Sequence, residues 1–190
     1  MTAFSSFILS QGVATLADLE ASIRHQILHG GHLGTSLVEL GLMDEPTLKR
    51  LLAEHHGMPV GPHGSLLEPT PELDEVLPRD LGARLGVVAL KRTKRTLHVA
   101  SCRPLHADSK RLLEDRARLE VRAVMVSPLR LEEALARYAD QPISERALWL
   151  LELLNTGRVP TQVERDELAI RRAERIFPVA APYRRMSERP

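Results

Sequence analysis

Residues 32–55 read HLGTSLVELGLMDEPTLKRLLAEH, and residues 3–26 read AFSSFILSQGVATLADLEASIRHQ. Laid over each other at an offset of 29 positions, the two stretches agree where a helical fold needs agreement. Leu33 falls on Phe4, Leu37 on Ile8, Gly41 on Gly12, Leu48 on Leu19 and Leu52 on Ile23. Such self-similarity is the mark of one supersecondary unit used twice. Each copy, 3–26 and 32–55, is predicted to be a short helix, a glycine turn and a longer helix. Glycine suits the turn because a left-handed backbone is cheap only for a residue without a Cβ. In the first copy Thr15 caps the longer helix, with Asp18 three residues later, and Leu16, Leu19, Ile23 and Ile27 recur at helical spacing to about Leu28. Gly30-Gly31 stops it. In the second copy a helix from Leu33 to Leu40 ends at Gly41. The next starts at Asp44, has Pro46 in its first turn, and places Leu48, Leu51 and Leu52 on one face.

Outward from the repeats, the stretch Met58 to Pro71 is dense in proline and glycine and reads as a linker, bounded at 58–69. Residues 70–140 read as a small sheet covered by helices. Helices are expected over Pro71–Leu77, Pro78–Leu85, Asp108–Ala117 and Pro128–Tyr138. Strands are expected over Val87–Leu90, Thr96–Ala100 and Val121–Val126, with the basic turn Lys91–Arg95 joining the first two. Residues 141–177 read as a helical extension in two parts, one capped by Ser144 and stopped at Gly157, the other starting at Thr161. Residues 178–190 read as a flexible tail. The fold class is α+β: an N-terminal helical tandem-repeat subdomain 1–57, an α+β subdomain, and the helical extension.

Composition excludes several functions. Aromatic residues make up 3% of the chain and net charge is +1, so neither a base-stacking platform nor a large basic field is available, and nucleic acid is excluded as the main partner. No apolar run approaches a membrane span, no basic leader precedes one, and the single Cys102 excludes an intrachain disulfide. A soluble cytoplasmic protein is expected. The chain contains no GxxxxGK[ST] loop, no GxSxG elbow and no HExxH helix, so no enzyme is expected.

With the double repeat and the downstream series PELDEVLPRDLGARLGVVAL, LHVASCRPL, LEVRAVMV and LEEALARYAD on the page, the chain from Ala3 to Tyr138 resembles the MshEN-type N-terminal domain of type II secretion and type IV pilus assembly ATPases, without the ATPase domain. The tandem motif there runs roughly RLGxxLxxxGxxxxxxLxxxLxxQ, twice, across a spacer that here is Ile27–Gly31. The resemblance implies a regulatory module with a protein partner in a secretion, pilus or motility apparatus. It also implies cyclic di-GMP as a ligand, held across the two motifs by the Arg-Leu-Gly start and terminal Gln of each. The positions that would carry it are Phe4, Ser5, Gln26, His32, Leu33, Gly34 and His55, with Arg103 standing where the family often has aspartate. Leu33, Gly34 and Gln26 match the motif outright. Ala3 and His32 replace its arginines, and Ala3 has no donor to offer a phosphate or a guanine edge.

Two readings therefore stay open: a protein-interaction adaptor that keeps the fold without the ligand, and a cyclic di-GMP receptor. For the adaptor, the apolar stripe Trp149, Leu150, Leu151 and Leu154 is the candidate partner surface, weighed against simple docking onto the chain's own body. His25, His29, His32, His55 and His56 cluster, but as a solvated face and turn residues; no metal or other cofactor is expected. Cys102 reads as packing.

Overall fold

The computed structural model describes residues 2–158 together with residues 161, 163, 164, 166 and 167. The chain divides into two units, Met1–Val159 and Pro160–Pro190. In the second, Thr161 and Glu164 cap a helical turn reciprocally: the Thr161 backbone N–H donates to Glu164 Oε2 at 2.9 Å, and the Glu164 N–H to Thr161 Oγ1 at 3.3 Å. The expected tail at 178–190 lies outside the described residues.

In the first unit the repeat is two helix pairs: α1 (Ala3–Ser10) and α2 (Leu16–His29), then α3 (Leu33–Glu39) and α4 (Glu45–His56). The turns between them hold Gly12 and Gly41 at φ of +64° and +69°. The caps repeat at the same offset. Thr15 accepts from the Asp18 N–H in a full capping box, and Asp44 accepts from the Thr47 N–H with Pro46 in the first turn. The packing is crossed, with α1 against α4 and α2 against α3. Ile8, Leu19, Leu37, Leu48 and Leu51, all at most 2% exposed, form its centre.

The α+β part carries α5 (Pro71–Val76), α6 (Arg79–Leu85), β1 (Val88–Arg92), β2 (Thr96–Ser101), α7 (Ala107–Ala117), β3 (Glu120–Met125) and α8 (Pro128–Ala139). The sheet order is β1-β2-β3, antiparallel then parallel, with an irregularity in β1 between Ala89 and Lys91. Alternation along the strands gives two packed faces. Leu97, Val99 and Val121 meet Leu73, Leu77 and Leu113 on one side, and Val88 and Ala100 meet Leu131 and Ala134 of α8 on the other. α9 (Glu145–Asn155), capped by Ser144, lies along α8.

The proline-rich stretch 58–69 is held along its length rather than hanging between elements. Val60 bridges Met125, the Gly61 N–H donates to Met125 O at 2.7 Å, and Leu66 is buried. A Cβ at Gly61 would lie 2.8 Å from Met125 O, so only glycine allows this approach. The ammonium of Lys49, from α4, is buried against the same stretch and donates to Gly61 O at 3.1 Å and Pro62 O at 2.6 Å.

Candidate functional site

The crossed packing decides where the motif positions go. Because α1 lies on α4 and α2 on α3, the start of each motif meets the end of the other, making two separate half-sites. In the first, the end residue His55 lies against Phe4 and Phe7, ring centroids 5.3 and 5.2 Å apart, with His56 at 4.7 Å from His55. Burial, and His55 beside it, hold the His56 imidazole below its ordinary range. Ser5, the counterpart of the motif glycine, is fully buried and donates to Thr2 O at 2.8 Å, so it faces the helix cap and not a ligand. Ala3 is exposed at the first turn of α1.

In the second half-site the end residue Gln26 donates its amide to Gly31 O at 2.8 Å. His32 is the N-cap of α3 and forms no side-chain cap bond there. Its imidazole is held below the ordinary range by burial, with Glu132 opposing and Arg103 reinforcing. The chain thus brings His32 and Arg103 into one electrostatic neighbourhood, although Arg103 itself is exposed beside Pro104, Leu105 and His106. Leu33 packs into the repeat core. Gly34 is buried, and a Cβ there would lie 2.7 Å from Leu48 Cδ1. Its glycine is therefore explained by helix packing alone.

Sequence reading missed the side chains that close this half-site. Arg146, from α9, donates through Nε to Glu39 Oε2 at 2.7 Å and makes a second bond to it through Nη2. Its Nη1 donates to Gly30 O at 3.0 Å and His29 O at 3.3 Å, placing a cation on the last carbonyls of α2, where the helix dipole favours one. His25 lies 3.6 Å from Glu39, and its ring lies tilted against that of His29, centroids 4.3 Å apart. A second buried group joins α4, α8 and α9. Arg130 bonds Glu45 at 3.1 Å, Glu133 at 3.1 Å, Ser65 at 3.2 Å and Asn155 at 2.8 Å, and Ser127 donates to Glu45. Phe7 was legible as the neighbour of Phe4 one turn on. Arg146 had no local signal, since Glu39 lies 107 residues away; Arg130 has Glu133 one turn on, but its other carboxylate, Glu45, lies 85 residues away.

The candidate partner stripe is largely spent on the chain itself. Leu150 and Leu151 are 1% and 4% exposed, packed with Leu129 and Ala147; Trp149 and Leu154 are half-buried, and the exposed apolar residue of α9 is Leu148. Burying the stripe against α8 is what an amphipathic helix gains most from. Cys102 is half-buried against the core, and burial pushes its thiol up, away from a reactive thiolate. Among the described residues no group of three or more His, Cys, Asp or Glu is arranged to hold a metal ion, and no helix is long and apolar enough to cross a membrane.

A small mixed sheet between helices, preceded by crossed helix pairs whose ends carry the polar motif positions, defines an α+β domain, and residues 56–145 match the MshEN domain. The match begins at the end of α4, so the repeats themselves lie before it. The chain is similar to the type IV pilus assembly ATPase PilB of Myxococcus xanthus (strain DK1622), 23% identical over 131 residues, which are 69% of this chain and 23% of PilB. It therefore spans less than a quarter of that relative's length. Among solved structures, MshE with cdg superposes over 73% of this chain and 99% of that one, with a TM-score of 0.53 and 22% identity, which shows a shared fold. The N-terminal domain of XpsE aligns over 73% of this chain and 96% of its own, with a TM-score of 0.44 and 17% identity.

Proposed function

We propose that the chain is a non-catalytic regulatory module that acts through protein contacts in a bacterial secretion, pilus or motility system. The MshEN match and the similarity to PilB support that setting. The observation that carries the adaptor reading is that the motif's ligand positions are engaged inside the chain. His55 is packed on Phe4 and Phe7, the Gln26 amide is spent on Gly31, and Gly34 makes room for Leu48. The two motif arginines are replaced by Ala3 and His32, leaving no forked donor at either start.

The second reading is a cyclic di-GMP receptor, favoured by the fold shared with MshE, which was solved with that dinucleotide. A ligand spanning both half-sites would act by preferring one arrangement of the helix pairs over another. Calorimetric titration with cyclic di-GMP, with GTP and ATP as controls, separates the readings. The adaptor predicts no saturable heat. Saturable binding of about −8 kcal/mol, a micromolar affinity, lost in His32→Ala and His55→Ala, would establish the receptor instead. Gly34→Arg is not a usable control here, because it disrupts the packing of α3 on Leu48 whether or not a ligand binds.

A further inference from the structure

One end of the sheet carries a group of exposed cations. The end of β1 and the turn that follows it read Lys91-Arg92-Thr93-Lys94-Arg95, and all five residues are exposed. The α7–β3 turn comes to the same end, since the Glu120 N–H donates to Arg95 O at 3.0 Å, and it brings exposed Arg118 with it. Across the strands Lys91 stands opposite His98, and His98 opposite Arg122, a row with about 5 Å between strands. Lys91 and Arg122 reinforce burial in holding the His98 imidazole below its ordinary range, against Glu120. Among the described residues Lys91, Arg92, Lys94, Arg95 and Arg118 form no ion pair, and Glu120 is taken by Arg122 at 2.9 Å.

A lysine on an edge strand also guards against edge-to-edge pairing. That accounts for the cations on the edge strands β1 and β3, but not for Lys94, Arg95 and Arg118 in the turns. We infer that this basic end of the sheet is a docking surface for an acidic segment of a partner protein. The inference rests on the reading of the chain as an interaction module and gives that module a surface. An acidic protein fits better than the other polyanions. No aromatic residue lies in these turns to stack on bases, and no apolar residue lies in Lys91–Arg95 to enter a bilayer. The cations stand at fixed positions on strands and tight turns, which suits carboxylates that are themselves fixed.

The test is fluorescence anisotropy of a labelled peptide of alternating glutamate and alanine against the full chain, run beside phosphatidylglycerol vesicles and a thymidine oligonucleotide. The expected result is peptide binding that weakens between about 50 and about 300 mM salt. It should loosen about tenfold or more in Arg92→Glu/Lys94→Glu/Arg95→Glu, with unchanged circular dichroism. Arg24→Glu/Arg50→Glu/Arg137→Glu, with the same charge change on α2, α4 and α8, should bind as wild type. Equal losses in both variants would reduce the effect to net charge and overturn the inference. So would vesicle or oligonucleotide binding lost in the first variant with no peptide binding in wild type. Titration with cyclic di-GMP reads the helix pairs and not this end of the sheet, so the two tests fail separately.

Discussion

Gly34 has no space for a methyl group, because the buried Leu48 fills it. Gly34→Ala should therefore cost about 1–3 kcal/mol in urea denaturation, the usual penalty for overpacking. An unchanged midpoint would mean that Leu48 moves aside freely. The histidines give a pH signature. His32, His56 and His98 are all held below their ordinary range, with burial the first cause of each. A depressed pKa in the folded state means the unfolded chain takes up protons first, so their stabilising contribution is complete above about pH 6.5 and is lost as the pH falls. Urea midpoints should drop between pH 7 and 5.5, and His98→Gln should flatten part of the slope. A midpoint that rises on acidification would contradict the assignment. At this scale the caps and turn glycines were legible, because Thr15, Asp44, Gly12 and Gly41 act on backbone within a few residues of themselves. The reason for Gly34 was not: the sequence marks the glycine but not the side chain that fills its space.

Among the elements, α9 ties the whole first unit together. Its stripe covers α8, while Arg146 on another side reaches Glu39 and the end of α2. Removing that guanidinium takes a charged donor from a buried carboxylate and from two helix-end carbonyls. Arg146→Met is predicted to cost about 3–5 kcal/mol, and the paired change Arg146→Met/Glu39→Leu to recover a good part of it, since a buried ion pair is often replaceable by apolar side chains but poorly tolerates losing one member. Thermal denaturation of the two variants decides this; equal losses would show that Arg146 acts through packing alone. Helices and strands were readable to within a residue or two because period and capping are local. The offset of the repeat also gave the matching caps. The crossed pairing of α1 with α4 and α2 with α3 was not readable, and with it went the division of the motif into two half-sites.

At the scale of the molecule, polar chemistry is distributed unevenly. Acids and bases inside are paired between elements far apart in sequence, around Arg130 and Arg146, while Lys91, Arg92, Lys94, Arg95 and Arg118, exposed and without an ion pair among the described residues, stand together at one end of the sheet. Net charge alone, +1, hides this separation, and composition therefore reported a chain without a basic field. The α+β class was legible from the alternation of patterns; the surface was not, because it is assembled from two turns and three strands. The long reach of Arg146 also sets an order of events at the ribosome. Glu39 leaves the exit tunnel 107 residues before its arginine, a wait of about 5–20 s at ordinary rates of synthesis. During that interval the helix pairs have their core residues and His25 beside Glu39, but not yet the Arg146 guanidinium. The nascent repeats are therefore expected to stay loosely packed until α9 is made, and the last element synthesised in the first unit is the one that fixes the first.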